Sequence, residues 1–376
     1  MSTILQKFCR ISNRSLSATR FCYASAKPCA LPASRHSRST TITDTALLNR
    51  LHGLHSITSP HLRVSKLADV EHQGQTYPIH AMALGSESED VPCLAFVGGV
   101  HGLERVGAEV VVAFMETLVQ RLSWDDSLIS GLERLRVLFI PLLNPVGYAR
   151  GTRSNGNHVD LMRNAPIDAE VRPPFPVGGQ RVSRRIPWYR GKKNAPMEKE
   201  AQVLCEFVQR ELFPAPFSLV LDCHSGFGFE DRIWFPYACS REPIPHLGET
   251  YALKQLLEQT YPHLNYVFEP QALHYTSHGD LWDYLYRQSL ATGNPFLPLT
   301  LEMGSWRWVK KNPRQLANID GLFNPVAPHR LRRALRGHIV LMEFLIRAVR
   351  AHNKWLPADE RARQLQQEAR KFWYEQ

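Results

Sequence analysis

The chain has 376 residues, 44% of them hydrophobic and 21% charged, which is enough apolar material for a large buried core and excludes disorder throughout. Its 45 Lys and Arg against 35 Asp and Glu leave a formal charge of +10. Lys7, Arg10, Arg14, Arg20, Lys27, Arg35 and Arg38 all precede the first acid, Asp44, so much of the surplus lies at one end, not along a nucleic-acid-binding stripe.

Residues 1–43 are rich in Ser, Thr, Ala and Arg, the composition of a mitochondrial transit peptide or of a disordered extension, and they lack the apolar stretch of a secretory signal. The expected setting is therefore cytoplasmic, or mitochondrial if the leader is a transit peptide. No apolar run reaches the roughly 18 to 20 residues that cross a bilayer. Seven cysteines without paired spacing point to reduced thiols instead of a disulfide framework or a Cys-rich zinc module. Residues 44–356 are of a size for one folded unit, and the charged residues 357–376 read as a helical tail.

In chain order, residues 93–100, 135–143, 217–223 and 296–303 are short apolar runs that read as buried strands. Between them, Val106, Val110, Phe114, Leu118 and Leu122 recur every four residues, as an amphipathic helix requires. Ala201, Leu204, Cys205, Val208 and Leu212 repeat the pattern, and residues 329–352 form a third. Strands alternating with helices predict an α/β fold: one domain whose mixed, largely parallel sheet is covered by helices on both faces. The Pro- and Gly-rich stretch 165–196 reads as a long surface excursion, and an excursion of that length is expected to be functional.

Ligands of such sheets bind beyond the carboxyl ends of strands. There the strand CLAFVGGV runs into His101-Gly102-Leu103-Glu104, the strand at 217–223 runs into His224, and the strand at 296–303 ends at Glu302. His-x-x-Glu alone is weak, since a carboxylate there can simply favour a helix N-terminus. A lone His224 would more often be a packed core residue. Together, two His and one carboxylate are the donors of a catalytic zinc site, and a second carboxylate beside it is the usual general base.

The ordered motifs Gly99-Val100-His101-Gly102-Leu103-Glu104, Asn144-Pro145-Val146-Gly147-Tyr148, Gly151-Thr152-Arg153-Ser154-Asn155, Val159-Asp160-Leu161-Met162-Arg163-Asn164, His224-Ser225 and Leu301-Glu302 resemble the zinc carboxypeptidase superfamily, the group containing pancreatic-type carboxypeptidases and bacterial murein-peptide amidases. The resemblance spans roughly residues 90–350. It implies one zinc ion (Zn2+) per chain held by His101, Glu104 and His224, with Glu302 as the base that activates water. It implies that Arg153 stabilises the oxyanion, that Arg163 grips a substrate carboxylate, and that Asp160 orients the first imidazole. The family's substrate-closing tyrosine matches Tyr275, or His274 without a gap. A His274/His278 metal pair is the alternative for that segment. Cys223, one residue before His224 on a strand, should face the core.

Three positions depart from the family pattern: Met162 stands where Asn usually joins the carboxylate-binding Arg, His158 replaces a customary glycine, and Val146 stands where Asp is common. None touches the implied zinc ligands or base. The implied reaction is hydrolysis of an amide or peptide bond near a substrate carboxylate, on a peptide or acyl amino acid, with no nucleic acid or membrane as partner. No Gly-x-Ser-x-Gly elbow supports a serine hydrolase. The alternatives are an N-acyl amino acid deacylase of the aspartoacylase and succinylglutamate desuccinylase type, and a metal-bound but inactive binding protein. Intact Glu302 argues against the latter.

Overall fold

The computed structural model describes residues 44–375 apart from Asn318. The leader at 1–43, with the localisation drawn from it and Cys9, Cys22 and Cys29, lies outside the described residues. Eight strands form one sheet: β1 (Leu62–His72), β2 (Gln75–Gly85), β3 (Cys93–Gly98), β4 (Arg136–Ile140), β5 (Ser218–Ser225), β6 (Asp231–Phe235), β7 (Tyr266–Pro270) and β8 (Phe296–Met303). Their spatial order is β1-β2-β4-β3-β5-β8-β6-β7.

The four strands legible as apolar runs, β4, β3, β5 and β8, are the parallel centre. Every residue of β3, β4 and β5 is buried, as strands covered on both faces must be. The β1–β2 hairpin is antiparallel and turns at Gln73-Gly74, both with positive φ, the conformation that tight hairpins favour. At the other edge β6 runs antiparallel to β8 and β7 parallel to β6, so the sheet is mixed.

Helices Asp44–His55 and Pro328–Arg350 pack on helix Arg105–Arg121, which lies against β3 and β5. Lys199–Glu211 and Leu281–Ser289 pack on each other, and the latter meets β8. Composition sets residues 357–376 apart as a tail, whereas helix Asp359–Tyr374 buries Leu365, Ala369 and Trp373 and packs on helix Leu247–Thr260. It is part of the folded body. Cys93, Cys205, Cys223 and Cys239 are buried free thiols, and no helix among the described residues is long and apolar enough to cross a membrane.

This topology places a crevice. From β3 the chain crosses to β4 on one side, while β5 leads toward β8 on the other. Loops leaving β3 and β5 therefore diverge and open a gap at their carboxyl ends, the usual ligand position in open α/β sheets.

Candidate metal centre and hydrolytic site

His101 follows β3 by three residues, and Glu104 is the residue that precedes helix Arg105–Arg121. The backbone between them is a turn, with the Glu104 N–H donating to the His101 carbonyl at 3.0 Å. This turn rests directly on the following segment: a Cβ on Gly102 would lie 1.9 Å from the carbonyl carbon of Gly147. Asn144 ties the two together, accepting from the Gly147 N–H at 2.8 Å and donating to the Val100 carbonyl at 3.1 Å. Those contacts explain the Asn-Pro-x-Gly motif. Asn324 fastens the turn from the other side, donating to the Leu103 carbonyl and accepting from the Val106 N–H.

Helix Arg105–Arg121 crosses β5 where Gly107 meets Cys223, and a Cβ there would stand 2.1 Å from the Cys223 carbonyl oxygen. Only a glycine permits that approach, which brings Glu104 to His224. Cys223 is 2% exposed, and burial raises its thiol well above the ordinary value, as a core residue requires.

The three donors converge. His101 Nδ1 is 3.0 Å from Glu104 Oε1, His224 Nδ1 is 3.0 Å from Glu104 Oε2, and the two Nδ1 atoms are 3.1 Å apart. His101 Nε2 meets Asp160 Oδ1 at 3.1 Å, and His224 Nε2 meets Asp222 Oδ2 at 2.7 Å. Asp160 and Asp222 accept from the Nε2–H groups, so that with a cation at the centre each Nδ1 would present its lone pair to it. Two imidazole lone pairs and a carboxylate facing one another, all buried, fit a divalent cation and specifically the N/O donor set of zinc. Among the described residues this is the one cluster with such geometry.

Charge around the donors is strongly ordered. Burial alone would raise the Glu104 carboxyl, but His101 and His224 hold it well below the usual carboxylate range. Burial likewise opposes Asp160, which Arg153 and His101 hold well below that range. His224 is pushed above its ordinary value because Asp222 and Glu104 outweigh burial. Arg153 donates from Nε to Asp160 at 2.8 Å and from Nη1 to Glu104 at 2.9 Å, which keeps its guanidinium charged and aimed at the centre.

Glu302 and His224 are direct partners in the β5–β8 register, so strand pairing itself sets the carboxylate beside the second imidazole. Burial and the Glu104 charge raise Glu302 to about 8. Its Oε2 is buried without a hydrogen-bond partner, so it is available to a small polar molecule.

Arg163 is 2% exposed and anchored by donation from Nε to the Val177 carbonyl and from Nη1 to that of Met162. Its Cζ lies 6.0 Å from the centre of the Tyr275 ring. Both line one cavity with His101, Arg153, His224 and Glu302. Met162 lines it too, next to Arg163. His274 is engaged by Glu269 at 2.6 Å, and His278 Nδ1 accepts from the Ala169 N–H at 2.9 Å; this does not favour a His274/His278 metal pair.

Asp222 escapes the motif reading, although its signal is present: two residues before His224 on one strand, it must point to the same face. The Trp282 indole N–H holds its Oδ2 at 2.8 Å. Trp234, Gln271, Asp280 and Thr300 complete the cavity wall. They come from elements distant in sequence, and only the fold brings them together.

An α/β sheet whose switch-point crevice holds two imidazoles, a carboxylate and an adjacent second carboxylate defines the class of zinc-dependent hydrolase folds. Solved structures share this fold: thrombin-activatable fibrinolysis inhibitor, 15% identical, with a TM-score of 0.59 over 81% of this chain and 72% of that one, and the carboxypeptidase A of Helicoverpa armigera, 16% identical, with a TM-score of 0.60 over 83% and 73%. The family model described as zinc carboxypeptidase matches residues 56–307, well over half of the chain, and the chain belongs to that family. Curated relatives include carboxypeptidase SOL1 of Arabidopsis thaliana, 27% identical over 107 residues, which are 28% of this chain and 22% of that protein. Carboxypeptidase Z of Gallus gallus is 28% identical over 169 residues, 41% of this chain and 25% of that protein. The chain thus spans a quarter or less of these relatives' length.

Proposed function

We propose that the protein is a metallocarboxypeptidase, hydrolysing the peptide bond next to a free carboxyl terminus. The observation that supports this most directly is the convergence of His101, Glu104 and His224 on one point, with Glu302 register-paired to His224 and the buried cation Arg163 in the same cavity. His101 and His224, through Nδ1, and Glu104 would hold one zinc ion. Zinc would supply a Lewis acid that polarises the scissile carbonyl and makes water more acidic.

The remaining work belongs to side chains of this chain. Arg163 binds the substrate carboxylate and so places the last peptide bond at the centre. Tyr275, against Arg163, closes over the terminal residue. Glu302 takes a proton from the attacking water on Oε2 and returns it to the leaving nitrogen. Arg153 offsets the negative charge that develops on the carbonyl oxygen. Asp160 and Asp222 keep both imidazoles in the tautomer that leaves Nδ1 free to bind metal.

The test is purification with metal analysis, followed by assay of C-terminal peptides, murein peptides and N-acyl amino acids with and without chelator. One zinc per chain and chelator-sensitive release of C-terminal residues are expected. His224→Ala should lose stoichiometric zinc. Glu302→Gln should retain it while losing at least about a hundredfold in turnover, the lower range for a general base. Wild-type turnover by Glu302→Gln would refute its role.

A further inference from the structure

Residues 184–188 of the proline- and glycine-rich stretch 165–196 line part of a second, larger cavity beside the metal centre. Its volume is about 690 Å3, within the range of ligand pockets, about 300–1,000 Å3. Leu103, Ile186, Pro187, Trp188, Leu322 and Phe323 form an apolar wall, and Arg153, His158, Arg184 and Arg185 supply the charged part of the lining. The one acid in the lining, Asp160, is already bound to Arg153 and His101.

The arginines sit on an ordered loop. Gln180, 4% exposed, accepts from the backbone N–H groups of Val182 and Ser183 and donates to the carbonyls of Ser183 and Ile186. Its own backbone pairs with Trp188 and Arg190. Arg181 donates to the carbonyls of Gly191 and Lys192. Arg184 and Arg185, by contrast, are exposed, and among the described residues neither meets a carboxylate. The surrounding positive charge reaches His158, whose imidazole is lowered by burial and then by Arg150 and Arg184.

Arg153 lines both this cavity and the one that holds Arg163. A peptide whose terminal carboxylate lies on Arg163 and whose scissile carbonyl lies at Arg153 must continue, on its amino-terminal side, away from Arg163. Arg153, common to both linings, is where the second cavity adjoins the path of such a chain. We propose that this cavity holds the residues upstream of the scissile bond and that Arg184 and Arg185 select peptides carrying acidic side chains there.

The proposal rests on the carboxypeptidase reading for the direction of the chain, so its test reads binding separately from turnover. Fluorescein-labelled hexapeptides with one common C-terminal residue, carrying Glu, Ala or Lys at the three positions upstream of the scissile bond, would be titrated by anisotropy. The protein would be zinc-loaded Glu302→Gln, at low and at 0.5 M salt. Exposed charge pairs are individually weak, so two should favour Glu over Lys peptides by at least about threefold, with the preference shrinking in salt. Adding Arg184→Glu and Arg185→Glu should invert the order, and tighter binding of Lys peptides would itself show that the variant is folded. Equal affinity for the three peptides, or a Glu preference that survives the double reversal, overturns the proposal. Selective binding that inverts as expected, in a protein that hydrolyses none of the peptides as wild type, would uphold the cavity's binding role and count against carboxypeptidase action on them.

Discussion

Asp222 and His224 stand on the same face of β5, and the carboxylate fixes the imidazole's tautomer as Asp160 fixes that of His101. Removing the charge while keeping the shape should weaken the metal site without emptying the core. Asp222→Asn is expected to lower zinc affinity about 10- to 100-fold, the usual effect of losing such a partner, measured by competition with a calibrated chelator. Met162 poses the opposite question, since an apolar side chain occupies a position beside Arg163 where a second donor would grip the substrate carboxylate. Met162→Asn should lower KM for C-terminal peptides with little change in kcat, because the restored contact is largely uniform binding. An unchanged KM across a peptide panel would count against a terminal carboxylate on Arg163.

At the scale of elements, strand ends and helix starts carry the chemistry. Helix Leu281–Ser289 begins at Asp280, whose carboxylate accepts from the backbone N–H groups of Trp282 and Asp283. Burial, then the neighbouring Asp283 charge, raises Asp280 to about 7, although Arg163 pulls the other way. Because the folded value lies above the unfolded one, the folded protein binds the extra proton between about pH 4 and pH 7. The associated stability is complete below pH 4 and is lost as pH rises through 7. Thermal unfolding followed from pH 5 to pH 8 should show this contribution fading. Asp280→Asn, which keeps a capping oxygen and cannot ionise, should flatten the dependence over that window, whereas an unaltered slope would remove Asp280 as its source.

For the whole molecule, the C-terminal helix is the element whose charge disguises its role. Trp373 is 5% exposed, its indole N–H donates to the Phe268 carbonyl at 2.8 Å, and its ring meets Phe235 edge-on at 4.9 Å. It therefore ties helix Asp359–Tyr374 to β6 and β7, the outer strands of the sheet. Trp373→Ala should cost about 3–5 kcal/mol, as large aromatic deletions from cores do, and lower the midpoint of chemical denaturation with the metal centre intact. A dispensable tail would show no such change.

What the sequence determines by itself is the part of the protein governed by short range. Apolar runs announce the four central strands, because residues buried on both faces leave no polar alternation, and four-residue spacing announces helix Arg105–Arg121. His101, Glu104, Asp160 and Arg163 sit within motifs whose local turns are written in their own glycines and asparagine, whereas His224 and Glu302 stand at the ends of apolar strand runs. The β1–β2 hairpin and β6–β7 are weaker signals, since β1 and β2 interleave exposed with buried positions and the five-residue β6 and β7 mix half-buried with buried ones, so none is a continuous apolar run. Helix Asp359–Tyr374 reads as a solvated tail because its three buried residues are spaced among many charges. Tertiary structure alone decides that β5 and β8 align His224 with Glu302, that Gly107 lets a helix approach Cys223, and that a loop carrying Arg184 and Arg185 faces Arg153. Those relations depend on register and close packing between segments from about thirty to a little over a hundred residues apart, to which no local pattern of residue types is sensitive.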